Sequence, residues 1–228
     1  MSVLTSTFSG GEPTPAREIH CAEAIAWMRA RGRMEGACAV TSLPDVSEVG
    51  KSLPVWREWF LGAVVATIDL VPETSAALFF QSDIKCDGVW IDKGGMVVRA
   101  AEDAGARVLF HKIVCRRPPG QLTMGRPGFT HLIAVSRAMR CPDVLPIPDI
   151  ITDAGRVPWV RAMGIRAAAH AVRFARDQVG ARVIVDPFCG VGTIPAVANA
   201  LGLDAVGVEL SRKRAEQARA LTVARAEL

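Results

Sequence analysis

The residues whose types and spacing point most directly to chemistry are Asp186-Pro-Phe-Cys-Gly-Val-Gly-Thr193 and, further along, Glu209. Glycines at 190 and 192 let a backbone turn approach a ligand closely. A carboxylate such as Glu209, at the end of the next apolar run, can hold two ribose hydroxyls while the loop backbone faces the rest of the ligand. The elements needed to position these groups are legible around them. Arg182 to Val185 is an apolar, β-branched run suited to a buried parallel strand. Ile194 to Leu201 reads as a helix ended by Gly202, and Ala205 to Val208 as the following strand. Strand, glycine loop, helix, strand and terminal carboxylate make a nucleoside-binding half-sheet. A dinucleotide loop would carry a third glycine, and Pro195 stands at that position.

Asp-Pro-Phe-x-Gly-x-Gly-Thr instead resembles the S-adenosylmethionine loop of amino-methyltransferases that act on nucleic-acid bases. The resemblance implies that Asp186 lies near the methionine amine and that Glu209 binds the ribose. It implies Pro187, Phe188, Cys189, Gly190, Gly192, Thr193 and Leu210 as further cofactor contacts, with Cys21 and Thr41 at neighbouring strand ends. Ile19-His-Cys-Ala-Glu-Ala matches by position a family stretch whose acidic turn lies near the adenine, with Cys21 and Ala22 in place of Gly-Asp. Pro158 to Met163 sits where the family has a segment flanking the methionine moiety.

Few residues follow the loop, enough for one strand and one helix, so the other strands must precede it. That order resembles the β-type, circularly permuted class of DNA N4-cytosine and N6-adenine methyltransferases over residues 17–225. The fold implied is α/β: a Rossmann-like class I methyltransferase sheet, circularly permuted, with helices on both faces and an antiparallel hairpin at one edge. Thr41-Ser-Leu-Pro-Asp45 then matches the family's Ser/Asp-Pro-Pro-aromatic turn, which assigns Ser42, Pro44 and Asp45 to catalysis. An exocyclic amine is a weak nucleophile because its lone pair is delocalised into the ring. Acceptors on its hydrogens turn that pair toward the sulfonium methyl, and positioning supplies most of the remaining acceleration. Here Leu43 replaces the first proline and Asp45 the stacking aromatic, so Phe80, Trp90 and Phe129 become the candidate platforms. Alternatively, Asp45 acts as a base on a hydroxyl, or is the end of a simple strand-capping turn.

The chain has 228 residues, enough for one α/β domain with a sizeable core. Six cysteines without a C-x-x-C pair suit reduced cytosolic thiols, and so a cytoplasmic protein without a structural zinc. No apolar run approaches the roughly 20 residues of a membrane span, and the N-terminus lacks signal-peptide character. The formal charge is +4, and residues 107–140 hold seven Lys and Arg side chains with no Asp or Glu. Such a stretch can track a phosphate backbone, which makes nucleic acid, DNA or RNA, the expected partner. Asp83, Lys85, Arg116, Arg117, Arg126 and Phe129 are the residues assigned to substrate. His111 and His131 read as core histidines, and no metal is expected.

In chain order, residues 1–16 read as a loose Ser/Thr/Gly/Pro arm and 17–228 as one permuted domain. Within that domain, 17–137 form the catalytic half, 138–157 an irregular linker and 158–228 the cofactor half. Strands are expected at 18–21, 36–41, 76–81, 108–114 and 130–136. Helices are expected to continue from the first strand to Arg31, and at 53–68 (burying Val55, Trp59, Phe60 and Val64), 96–104, 159–178 and 212–227. Residues 82–93 are expected to be a loop. A dimer through the sheet edge near Val108–Ser136 is compatible with the sequence. The lean inserts, 115–129 and 138–157, leave little protein to read a long DNA site in the major groove; a structured RNA or a smaller substrate fits as well. Three functions follow: a base-nitrogen methyltransferase, a methyltransferase for a small metabolite or ribose hydroxyl with Asp45 as base, and a non-catalytic cofactor-binding homologue.

Overall fold

A computed structural model describes residues 14–160 and 162–228. Most of the expected N-terminal arm lies outside the described residues. Ala16, at its end, is anchored: its N–H donates to Asp204 Oδ1 at 2.7 Å and its carbonyl accepts from Ala205 N at 2.9 Å.

The chain runs β1 (Arg17–Cys21), α1 (Ala24–Arg31), β2 (Ala37–Thr41), α2 (Val46–Val49), α3 (Leu53–Asp69) and β3 (Ala77–Gln81). A small hairpin, β4 (Ile84–Cys86) and β5 (Val89–Ile91), is followed by α4 (Lys93–Asp103) and the paired β6 (Arg107–Cys115) and β7 (Phe129–Ser136). Then come β8 (Ile150–Ile151), α5 (Ile165–Asp177), β9 (Val183–Asp186), α6 (Thr193–Ala200), β10 (Asp204–Glu209) and α7 (Arg212–Ala220).

Eight strands form one sheet in the order β1-β10-β9-β2-β3-β7-β6-β8. The first five are mutually parallel, and β7 runs antiparallel to both β3 and β6. β9 and β10, late in the sequence, lie inside the sheet between β1 and β2, an order compatible with the expected permutation. The five parallel strands therefore end on one rim. That is where open α/β sheets bind ligands.

Both faces are covered, which is why β2 and β3 read as unbroken apolar runs. Cys38, Val40, Leu78 and Phe80 face α5 and α6; Ala39, Phe79 and Ile133 face α1, α3 and α4. The alanine-rich side of α5 packs close to the sheet, with Ala167, Ala168, Ala171 and Ala175 fully buried.

Several boundaries differ from the sequence reading, each for a tertiary reason. In α3 the buried aromatics are Trp56 and Phe60, while Val55 is exposed and Trp59 only partly covered. Trp56 wins because its indole N–H also donates to the Pro44 carbonyl at 3.2 Å. Residues 84–91 form a hairpin rather than a loop, turning through Asp87 and Gly88 at positive φ. α4 starts at Lys93, not Met96, because Asp92 caps it through Gly95 N at 2.6 Å.

Residues 138–157 are not a free linker. Ile150 and Ile151 pair with β6, so this short strand lies outside the β6–β7 hairpin and covers part of the edge considered for a dimer. The same segment sets the start of α5. The Ala154 carbonyl accepts from Arg166 N and Ala167 N (2.9 and 3.2 Å), and the Arg156 carbonyl from Ile165 N at 3.0 Å. Those backbone acceptors and Gly164 at the N-cap begin the helix at Ile165 rather than Trp159. α7 stops at Ala220, and a single 3₁₀ turn, Arg225–Glu227, ends the chain.

Candidate active site

Cys21 and Glu209 are register partners at the ends of β1 and β10, while Asp186 and Thr41 end the neighbouring β9 and β2. Above them opens a cleft of about 320 Å³. Within it the glycine loop turns through Gly190 and Gly192 at φ +55° and +87°, the left-handed region that favours glycine. The two glycines do different work. Gly190 borders the cleft with open space beside its Cα, whereas a Cβ on Gly192 would meet the α7 backbone at Ala218 Cα, 2.7 Å away. Gly192 therefore serves packing, and only Gly190 faces the cavity.

Asp186 is buried, and its Oδ1 accepts from the Thr41 hydroxyl at 2.6 Å and from Phe188 N at 3.2 Å. Burial pushes its carboxyl up to about 7; those two hydrogen bonds pull it down, and the nearby Glu209 charge adds to the rise. Glu209 is oriented from behind. Its Oε1 accepts from Ser211 N at 2.7 Å and from Arg214 Nε and Nη2 at 2.9 and 2.8 Å. All these bonds fall on Oε1, which leaves Oε2 for a ligand. The Arg214 guanidinium lies 5.8 Å from the Trp159 ring, and both line the cleft. Phe188 lines it too, edge-on to Trp59 at 5.8 Å. The Thr193 hydroxyl, also in the lining, is buried without a hydrogen-bond partner among the described residues. Burial and the carboxylates of Asp186 and Glu209 raise the Cys189 thiol well above its ordinary range, which favours the protonated form.

Ser42 stands between this cleft and a second cavity of about 1070 Å³, lining both together with Ala162 and Met163. The Ser42 hydroxyl has no hydrogen-bond partner among the described residues. Arg116, Arg117 and Arg126 line the larger cavity, as does Phe80.

Solved structures share this architecture. A proposed DNA modification methylase from Thermus thermophilus, solved with S-adenosyl-L-methionine, superposes with a TM-score of 0.71 at 16% identity, covering 90% of this chain and 92% of that one. The cytosine-N4-specific PvuII DNA methyltransferase gives 0.73 at 11% identity, over 92% and 88%. An M1.HpyAVI complex with the same cofactor gives 0.60 at 14% identity, over 90% and 98%. The chain has the DNA-methyltransferase fold. No family model and no curated protein sequence matches it.

Within this methyltransferase fold, the expected cofactor residues Pro187, Phe188, Cys189 and Leu210 line the cleft with Asp186 and Glu209. Thr41 acts one step back, through Asp186. Cys21 does not line it; the adjoining Ala22, Glu23 and Ala24 do, with Glu23 held as the α1 cap by Ile25 N and Ala26 N.

Asp45, assigned to catalysis from the sequence, is held in ion pairs. Its Oδ1 lies 2.5 Å from Lys93 Nζ, Arg126 comes within 3.7 Å of Oδ2, and the residue lines neither cavity. The Lys93 side chain is 3% exposed and that of Asp45 14%. This pair fastens the Ser-Leu-Pro-Asp turn to the start of α4. Removing one partner of a buried pair costs about 3–5 kcal/mol, and less where, as here, one member keeps some solvent. Lys93→Met is expected to lower the melting temperature by several degrees, and Asp45→Leu added to it should recover much of the loss. Calorimetric melts of the single and double variants check this; additive losses would contradict it.

Asp83 and Lys85 also lie apart from both cavities. The buried Asp83 carboxylate accepts from Lys93 N, Gly94 N and the Trp90 indole at 2.8, 3.3 and 3.1 Å, and contacts His131 Nε2 at 3.2 Å. It braces the start of α4 and the β4–β5 hairpin. Asp92 and His131 approach it as metal ligands would, but the hydrogen bonds of Asp83, and the cap made by Asp92, already account for the carboxylates. His111 and His131 bond each other at 2.8 Å. Phe129 packs edge-on against His131 at 5.2 Å and lines neither cavity, whereas Phe80 borders the larger one.

Sequence reasoning missed Arg214 and Lys93, and read Trp59 as core although it lines the cleft. Only Arg214 carried a sequence signal: it follows Glu209 at the start of a helix, close enough to reach back.

Proposed function

We propose that the protein is an S-adenosylmethionine-dependent methyltransferase acting on an exocyclic amine of a nucleic-acid base, with DNA as the substrate. The observation that carries this reading is the junction at Ser42, where a nucleoside-sized cleft bearing Asp186 and Glu209 meets a cavity lined by three arginines. The cleft fits the cofactor's groups: Glu209 Oε2 for the ribose hydroxyls, Asp186 for the ammonium, and the unpartnered Thr193 hydroxyl among the polar atoms available. When bound, the cofactor supplies a methyl group on an electrophilic sulfonium.

The chain's own residues do the rest. Ser42 Oγ accepts a hydrogen bond from the amine and turns the nitrogen lone pair toward the methyl; as the N–C bond forms and the C–S bond breaks, the nitrogen releases its surplus proton to solvent. The lysine-anchored turn fixes that oxygen in place, and positioning supplies most of the remaining acceleration. The arginines supply the field that attracts a polyanion. A general base at Asp45, as a hydroxyl methyltransferase would need, is disfavoured by its pairing with Lys93.

The test is transfer of tritium from methyl-labelled cofactor into DNA, RNA and small-molecule extract, assayed separately, from cells lacking the protein. Label in DNA is the expected result, removed by Ser42→Ala. Label only in RNA would change the polymer, and label only in small molecules would overturn the base reading. Silence in all three would favour a non-catalytic cofactor-binding protein.

A further inference from the structure

The β6–β7 connection, residues 116–128, leaves the sheet on the same rim as the glycine loop, since β7 starts beside the end of β3. Its base is closed: Arg116 N and Arg117 N both donate to the Gly128 carbonyl, at 2.7 and 3.0 Å. Arg116 reaches inward to Ser82 Oγ (3.4 Å) and the Val160 carbonyl (3.3 Å), and Arg126 approaches Asp45. Pro118, Pro119 and Pro127 stiffen the two arms, while Gly120 and Gly125 turn the tip at φ +83° and +78°. At that tip Leu122 and Met124 are 97% and 99% exposed. Both border the larger cavity. The stretch 107–140 around them contains no acidic residue.

Two fully solvated large apolar side chains, on a proline-stiffened projection whose charged residues are all arginines, gain nothing for the folded chain. They suit a partner that is anionic outside and apolar inside. A nucleic-acid double strand is such a partner, with charged phosphates around a stack of flat bases. An amine paired inside that stack cannot reach the Ser42 junction, so its base must leave the stack, and something must occupy the gap.

We propose that the 116–128 loop is a wedge for double-stranded DNA. Leu122 and Met124 enter the base step vacated by the target nucleotide, and Arg117 holds a flanking phosphate. Apolar wedges of this kind work by partly unstacking a base step, at a cost recovered through added contacts. The inference rests on the nucleic-acid reading of the site and adds to it the residues that open the duplex.

The test compares short fluorescein-labelled DNA duplexes, identical except for one central pair that is either matched or mismatched. A mismatched base is already partly unstacked, so the wild type is expected to bind that duplex about tenfold more tightly. A Leu122→Ser, Met124→Ser double variant should lose this preference and keep its affinity for the matched duplex within about twofold, because the charges are unchanged. Arg117→Ala should do the reverse, keeping the preference and reducing the salt slope by about one. Cofactor affinity, unchanged in each variant, reports that the fold is intact.

Persistence of the mismatch preference in the double variant would overturn the wedge alone. Failure of the wild type to bind either duplex while it still binds cofactor would overturn the nucleic-acid reading beneath it. Tighter binding of an RNA duplex of the same sequence would overturn the assignment to DNA.

Discussion

Glu209→Ala is expected to weaken S-adenosylmethionine binding by about 100-fold or more. Glu209 ends β10 with Oε1 committed to Ser211 N and Arg214, so its second oxygen is presented to the cleft in a fixed orientation. Hydrogen bonds to a charged group contribute roughly 1.5–3 kcal/mol each, and two from a ribose diol together exceed the roughly 1.4 kcal/mol that makes a factor of ten. The fold should tolerate the change, because Arg214 is more than a third exposed and can rehydrate. Glu209→Gln keeps the shape but not the charge. It should recover part of the affinity, since charge-assisted bonds are about twice as strong as neutral ones. Titration calorimetry on the three proteins orders them wild type, Gln, Ala. Equal affinities would remove Glu209 from the ribose site.

The second large effect is on pH. Asp186 is held near 7 by burial, yet pairing with a ligand ammonium requires it ionised. Affinity for S-adenosylmethionine should therefore rise by up to about tenfold per unit between about pH 5 and 7 and level off above, with a proton released on binding in that window. Stability of the free protein should move oppositely. Between the ordinary aspartate range and about 7 the folded state binds a proton that the unfolded chain has lost, so stability falls as pH rises and flattens above. Asp186→Asn should flatten both profiles. Thr41→Val removes the 2.6 Å hydrogen bond that favours the carboxylate, and should carry the inflection to higher pH. Calorimetry in buffers of different ionisation enthalpy measures the affinity and the proton together; a flat affinity profile in the wild type would exclude Asp186 from the ammonium contact.

The larger cavity has no such self-contained residue. Arg116, Arg117 and Arg126 gather there because the β6–β7 connection folds over the rim, and Ser42 joins the two cavities only because β2 lies next to β9. Asp83 and Lys85 suggest a substrate role only by their nearness to β3 in sequence. The chain reverses there into a hairpin, which carries Lys85 away and turns the Asp83 carboxylate onto backbone N–H groups.

Local physics was readable without coordinates. β-branched runs buried on both faces, a loop needing two positive-φ glycines, and a carboxylate closing a strand all follow from residue type and short spacing. The sequence by itself therefore determined the α/β class and the placement of Asp186 and Glu209 at neighbouring strand ends. It could not decide among faces or partners that were locally equivalent. Val55, Trp56 and Trp59 are all plausible core residues of α3 by periodicity, and the Pro44 carbonyl selects Trp56. Asp45 reads as a free base until Lys93, distant in sequence, is packed against it in a space nearly closed to water. Ile150 and Ile151 look like linker until an open sheet edge offers them hydrogen bonds. In each case the deciding energy is desolvation or pairing between segments far apart along the chain, and that term exists only once the tertiary structure has brought them together.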